Sequence, residues 1–185
     1  MTMKPLIALA ALTAVVSSVS AQQSSSEVGV GISVGVYKPT SANIRQDLGD
    51  QFMSFGLGGA TSKRPEQGAI TPEYHFISAR GNGNKLFMLP LTYGYEMHFG
   101  ADNNSKTLPY LRPFVGIAYF DYSITDFATG QHASAKQFGG TAGAEAGVIL
   151  SKKLKITAAY NYFTKANGLS FDGITLSATY SLLKL

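Results

Sequence analysis

The chain has 185 residues, a formal net charge of +4, no cysteine, 20 glycines, 10 tyrosines and 11 phenylalanines. Without cysteine there is neither a disulfide framework nor a thiol for lipidation after an export signal, and the scattered basic residues leave no nucleic-acid footprint. By length it is one domain, with room for eight tilted strands of about 9 to 11 residues and their loops.

Met1 to Ala21 carries a single positive residue, Lys4, then an apolar run from Leu6 to Val16 and the small-residue ending Val19-Ser20-Ala21. This is the pattern of a cleaved secretory signal, its apolar core being shorter than the roughly 20 residues of a membrane helix. Residues 22–26 form a short polar leader, and 27–185 are expected to fold as one β-barrel domain. The first predicted strand alternates Val28, Val30, Ile32, Val34 and Val36 with Gly29, Gly31, Ser33 and Gly35, one face β-branched and the other small. A glycine face of this kind suits a narrow barrel with little interior room. Residues 38–51 read as a long polar loop, in which the acidic spacing of Asp47-Leu48-Gly49-Asp50 does not fit a calcium loop.

A second strand follows with Met53, Phe55 and Leu57 opposite Ser54, Gly56 and Gly58, then a solvated turn over 61–68. The third strand puts Ile70, Pro72, Tyr74 and Phe76 on one face and Thr71, Glu73, His75 and Ile77 on the other, and ends in the glycine-asparagine turn at 80–84. The fourth has Phe87, Leu89, Leu91, Tyr93, Tyr95, Met97 and Phe99 on its odd positions, with Thr92, Gly94, Glu96 and His98 between them. Across the turn at 100–106 the fifth sets Leu111, Pro113, Val115, Ile117 and Tyr119 against Arg112, Gly116 and Ala118. Bulk on the wide face and small or charged groups on the other reverse the order of a soluble sandwich, and suit a barrel whose outside is lipid. Residues 124–135 form the second long loop. The sixth strand then sets Phe138, Ala142, Ala144, Ala146 and Val148 against Gly139, Thr141, Gly143, Glu145 and Gly147. After the tight 151–153 connection, the seventh alternates Leu154, Ile156, Ala158, Tyr160 and Tyr162 with Lys155, Thr157 and Asn161; the eighth alternates Ile174 to Leu182 with Gly173 to Ser181.

The predicted fold class is therefore all-β, an eight-stranded antiparallel up-and-down transmembrane barrel. Its even strand number returns both ends of the chain to one side, the periplasm, and the longer loops 38–51 and 124–135 then lie outside. The signal segment, the run Leu108-Pro109-Tyr110-Leu111-Arg112-Pro113-Phe114-Val115-Gly116 and the closing alternation Ile174 to Leu182 together resemble the small outer-membrane barrels that include the OmpA transmembrane domain, OmpX and OmpW-like proteins. The resemblance spans nearly the whole mature chain and implies residence in the outer membrane of a Gram-negative cell. Leu185 stands where that family ends on an aromatic residue, which leaves its assembly signal imperfect.

A charged group inside a narrow lumen must find a partner. Parity places Glu73, His75, Glu96, Arg112, Glu145 and Lys155 on the inner face. If the fourth and fifth strands pair about Asn103, Gly94 lies opposite Arg112 with Glu96 diagonal to it. Arg112 is then expected to bridge Glu96 and Glu145, with Glu73, His75 and Lys155 nearby, either as a structural plug or as a gate. The aromatics Tyr93, Phe99, Tyr119, Tyr122, Tyr160, Tyr162 and Tyr180 are expected at the two lipid interfaces. His75, His98 and His132 are scattered, so no Ser-His-acid spacing, catalytic residue, metal site or cofactor is expected. The functional expectation is a non-enzymatic barrel of structural or surface-interaction type, probing an extracellular ligand through its two long loops, embedded as a monomer in outer-membrane lipid. The alternative is a narrow channel for small hydrophobic or ionic solutes. A lipid-modifying enzyme ranks third.

Overall fold

The computed structural model describes residues 29–58, 69–100, 107–126, 129–151 and 153–184. The signal and leader segments, and most of the 59–68 and 100–106 connections, lie outside the described residues. The elements are β1 (Gly29–Pro39), α1 (Ala42–Leu48), β2 (Phe52–Gly58), β3 (Ala69–Gly81), β4 (Asn84–His98), β5 (Thr107–Thr125), β6 (His132–Leu150), β7 (Leu154–Phe163) and β8 (Gly173–Lys184). Each strand pairs antiparallel with the next, and β1 pairs with β8 from Gly29↔Lys184 to Pro39↔Gly173, closing an eight-stranded barrel. Closure removes every sheet edge, so the ladder satisfies its own backbone donors and acceptors.

The period-two pattern resolves as the sequence predicts. On β4 the even positions Leu86, Met88, Thr92 and Glu96 are buried, while Tyr93 and Tyr95 face outward. On β5, Arg112, Phe114, Ala118 and Phe120 point in, and Leu111, Val115 and Ile117 point out. Val115 is 66% exposed and Phe138 72%. Every strand carries at least one outward apolar residue more than a third exposed, which makes a continuous outer band that water disfavours and lipid accepts.

The register of β4 with β5 differs from the expected one by two residues. Gly94 lies opposite Phe114, and Met97 opposite Leu111, so Arg112 is not the ladder partner of Gly94. Pairing about Asn103 would set the two strands symmetrically, whereas the ladder takes its register from the strand faces.

The two long loops are also shorter than expected. Within 38–51 the chain forms α1, and 124–135 is mostly strand, leaving 126–131 as the connection between β5 and β6. A seven-residue helix has little stability by itself. Here it is anchored into the barrel mouth by Ile44 and Leu48, 1% and 5% exposed. Its carbonyl end is held by Asn84, whose Nδ2 donates to the Asp47 carbonyl at 3.1 Å and to the Thr125 carbonyl at 3.1 Å, while its Oδ1 accepts from the Thr125 amide at 2.8 Å. Arg45 ties the other side through hydrogen bonds to the carbonyls of Pro39 and Thr40 at 2.9 and 2.7 Å.

Beneath α1 the loop-side half of the lumen is an apolar core of Tyr37, Phe52, Ile77, Met88, Phe120, Tyr122, Phe163 and Phe171 with their smaller neighbours. Phe120 stacks on Phe171 at 5.5 Å and meets Phe163 edge-on at 5.7 Å. The Tyr37 hydroxyl donates to the Phe171 carbonyl, and the Tyr122 hydroxyl to the Ala166 carbonyl at 3.3 Å. Tyr122 is therefore not a lipid-interface aromatic. It occupies an even position of β5, 1% exposed inside the barrel, where an outward placement would break the alternation that Arg112 and Phe120 obey. Tyr93, Phe99, Tyr160, Tyr162 and Tyr180 face outward at 48–50% exposure, and Tyr119 packs against Phe138 on the same surface.

Val115→Arg, in the middle of the outer band, should destabilise the barrel in lipid vesicles by ~2–4 kcal/mol, whereas Ser134→Arg at the loop-side rim should cost ~1 kcal/mol or less. The urea midpoint of the heat-dependent gel-mobility shift measures both.

Candidate functional site

The terminus-side half of the lumen is built from charge. Inward positions of β3, β4, β5, β6 and β7 supply Glu73, Glu96, Arg112, Glu145 and Lys155, all at most 8% exposed. The alternation of each strand delivers one or two of these groups to a common level, and only small residues on the neighbouring strands leave room for them. Gly94 is one such position: a β-carbon there would collide with the Arg112 guanidinium. A buried ion is tolerated only with partners, and here every charge has several.

Lys155 is the hub. Its Nζ donates to Glu96 Oε2 at 2.9 Å, to Glu145 Oε1 at 3.0 Å and to Glu73 Oε1 at 3.2 Å, using all three ammonium protons on three strands. Its Nζ also lies 4.3 Å from the ring centre of Tyr110, whose hydroxyl shares a hydrogen bond with Thr157. Arg112 stands one layer nearer the apolar core. Its Nη1 contacts Glu73 Oε2 at 3.2 Å and Glu145 Oε2 at 3.5 Å, and it donates to the Thr71 hydroxyl at 2.6 Å and the Thr71 carbonyl at 2.7 Å. Arg112 caps the aromatic face of Phe114, with Cζ 5.7 Å from the ring centre. Two histidines complete the layer: His98 Nε2 meets Glu96 Oε1 at 2.7 Å, and His75 Nε2 lies 3.7 Å from Glu73 Oε2.

The structure thus brings all six predicted lumen residues together, in a different pairing. Arg112 joins Glu73 and Glu145, while Glu96 turns to Lys155 and His98. The register does not explain this, since it sets Glu96 across from Arg112; the reach of Lys155 across the lumen draws Glu96 away. His98, Thr71 and Tyr110 were missed as members. Their signal was in the sequence, since each holds an inward position within two residues of a predicted lumen charge. Three carboxylates face two permanent cations, with the imidazoles of His75 and His98 against two of the carboxylates. A cavity of about 20 Å³ beside Glu73, Thr92, Arg112, Glu145 and Thr157 separates the ionic layer from the apolar core, room for about one water. Among the described residues no group of three or more His, Asp or Glu is arranged to hold a metal ion.

The outer membrane protein beta-barrel domain family model matches residues 7–181. Among solved structures, the N-terminal β-barrel domain of Pseudomonas aeruginosa OprF is similar at TM-score 0.57 and 11% identity, covering 85% of this chain and 100% of that one. The outer membrane enzyme PagL is similar at TM-score 0.55 and 12% identity, covering 82% and 99%. Ail, the attachment invasion locus protein of Yersinia pestis, is similar at 0.54 and 14%, covering 85% and 97%. A comparison with curated proteins finds no match.

Lys155→Met should destabilise the folded barrel by ~3–5 kcal/mol, because it leaves three carboxylates buried with one fewer cation. Adding Glu96→Gln to Lys155→Met should recover part of that loss, read as a non-additive double-mutant cycle in urea unfolding.

Proposed function

The chain belongs to the outer membrane protein β-barrel domain family, in the bacterial outer membrane, and we propose that it acts there as a closed, non-enzymatic barrel of structural or surface-interaction type. The observation that carries this reading is the occupancy of the lumen: α1 and an apolar core at one end, a cross-braced ionic layer at the other, and a cavity of about 20 Å³ between them. A solute or ion crossing such an interior would have to displace packed aromatic rings and break multiply bonded charges. Residues 1–21 act as the cleaved export signal in this proposal. The working form is a monomer, since the ladder closes on itself and offers no edge to a second copy.

What the closed barrel displays is its loop side. The outer surface of α1 with Asn43 and Gln46, the nearby Asp50, the Asn82-Gly83 turn, residues 129–131, Thr164, Lys165 and the Asn167-Gly168 turn form the exposed polar surface for an extracellular ligand. PagL shares the barrel and is an enzyme, so the fold alone does not exclude chemistry. The histidines favour the non-enzymatic reading: His75 and His98 are turned to lumen carboxylates, and His132 Nδ1 meets Thr125 Oγ1 at 3.0 Å with no acid paired to it among the described residues.

The narrow-channel alternative draws on the ionic layer itself, whose polar groups and small cavity would become a gate with Lys155 and Arg112 as its moving parts. Flux separates the two readings. Protein folded into liposomes, with folding confirmed by the gel shift, should pass neither ions nor small solutes. A Phe120→Ala/Tyr122→Ala variant, which thins the apolar core, should remain impermeant while the ionic layer stands. Size-limited flux through the wild-type barrel that changes with Lys155→Met would overturn the closed reading and establish the gate.

A further inference from the structure

The end of α1 is held by side chains that are not its own. The last carbonyls of a helix have no partner within it. In α1 the Arg45 carbonyl takes the Gly49 amide at 2.8 Å, but the next two are met from the start of β4 and the turn before it. Asn82 Nδ2 donates to the Gln46 carbonyl at 3.3 Å, and Asn84 Nδ2 to the Asp47 carbonyl at 3.1 Å. The approach is close, since a β-carbon at Gly81 would stand 2.9 Å from the Leu48 carbonyl. Seven residues are too few to persist as a helix unsupported, so α1 stands only while that turn receives it.

Asn84 is fixed in its turn from a third element. Its side chain donates to the Thr125 carbonyl at 3.1 Å and accepts from the Thr125 amide at 2.8 Å, at the loop-side end of β5. With the bond to Asp47, both amide protons and the oxygen of the carboxamide are committed, on a residue 6% exposed. Thr125 opens a connection with its own small network. The Asp126 amide donates to the Gln131 carbonyl at 2.9 Å, the Gly130 amide to the Asp126 carbonyl at 2.8 Å, and Thr125 Oγ1 meets His132 Nδ1 at 3.0 Å.

One buried side chain therefore joins α1, the turn between β3 and β4, and the end of β5. If α1 lifts, the Asn84 proton that it accepted is left without a partner in a dry site. Turning outward to find water then releases Thr125. Loosening the Thr125 side frees Asn84 in the same way and lets α1 go.

We propose that α1 and the connection after Thr125 form one cooperative unit coupled through the Asn84 carboxamide, so that a constraint placed on either side of the barrel mouth is felt on the other. Such coupling is reciprocal. This goes beyond the closed-barrel reading and does not rest on it, because it concerns the mouth and not passage through the lumen.

The test is amide hydrogen exchange, read residue by residue by NMR on full-length protein folded in phosphatidylcholine nanodiscs. Leu48→Ala weakens the seat of α1 and removes none of the Asn84 partners. It should speed exchange of the Asp126 and Gly130 amides by about fivefold or more, the lower end of a coupling between sites. Asp126→Ala removes the carboxylate that accepts from the Thr129 amide at 2.9 Å, and should speed the Gly49 amide likewise. With Asn84→Ala added, each effect should stay on its own side of the mouth. The Ser181 amide, bonded to the Lys153 carbonyl at 2.8 Å at the opposite end of the barrel, should be unchanged in every variant. Should Asn84→Ala fail the heat-dependent gel shift, Leu48→Ala and Asp126→Ala made singly carry the comparison. Responses confined to the mutated side, cross-responses that persist with Asn84→Ala, or an equal rise at Ser181 would each overturn the coupling.

Discussion

Everything in this molecule follows from the need to pair every backbone N–H and C=O where water is absent. The strands have apolar outer faces, so the ladder has to close on itself, and β1 against β8 completes it. Closure at eight strands leaves an interior only wide enough for side chains. The outside then needs little specification, since any apolar residue of moderate size serves against lipid. The inside has to be filled with complementary volumes, and that is where the sequence becomes particular.

The filling is done by setting large inward groups of one strand against glycines of the next. Arg112 lies over Gly94, Phe114 over Gly143, Tyr110 over Gly147 and Tyr37 over Gly173, in each case where a β-carbon would collide. The glycine face of β6 is therefore the counterpart of the bulky inward face of β5. The interior divides into two layers of different chemistry. At the loop side the inward residues are aromatic and aliphatic, and α1 folds over them. At the other side they are ionic. The order has a physical sense, because the apolar layer keeps water from entering through the loop side and so holds the ionic partners to one another.

The architecture was legible because period-two alternation survives over whole strands, and the even strand count agrees with it. The inward set was legible for the same reason, so Glu73, Glu96, Arg112, Glu145 and Lys155 could be grouped before any geometry was known. Pairing among them could not be read. It depends on register, which the connection after His98 does not announce, and on diagonal reach across a lumen, which one-dimensional parity does not contain. Tyr122 was misplaced by residue type overriding parity: a tyrosine near a strand end looks interfacial, but its even position had already assigned it inward. The helix was hidden because Ser41 to Gln51 is short and polar overall. Its two apolar anchors, Ile44 and Leu48, are spaced four apart, which is the helical signal at its smallest extent.

The ionic layer does more than occupy space. Lys155 on β7 reaches Glu73 on β3 and Glu96 on β4, and Arg112 on β5 reaches Thr71 and Glu73 on β3, so the bonds run across the lumen as well as along the ladder. A one-residue slip of any of these strands would carry its charge to the lipid face, and a two-residue slip would move it about 7 Å from its partners. The network thus penalises wrong registers far more than it rewards the right one, which is the use of buried ions with the firmest physical basis.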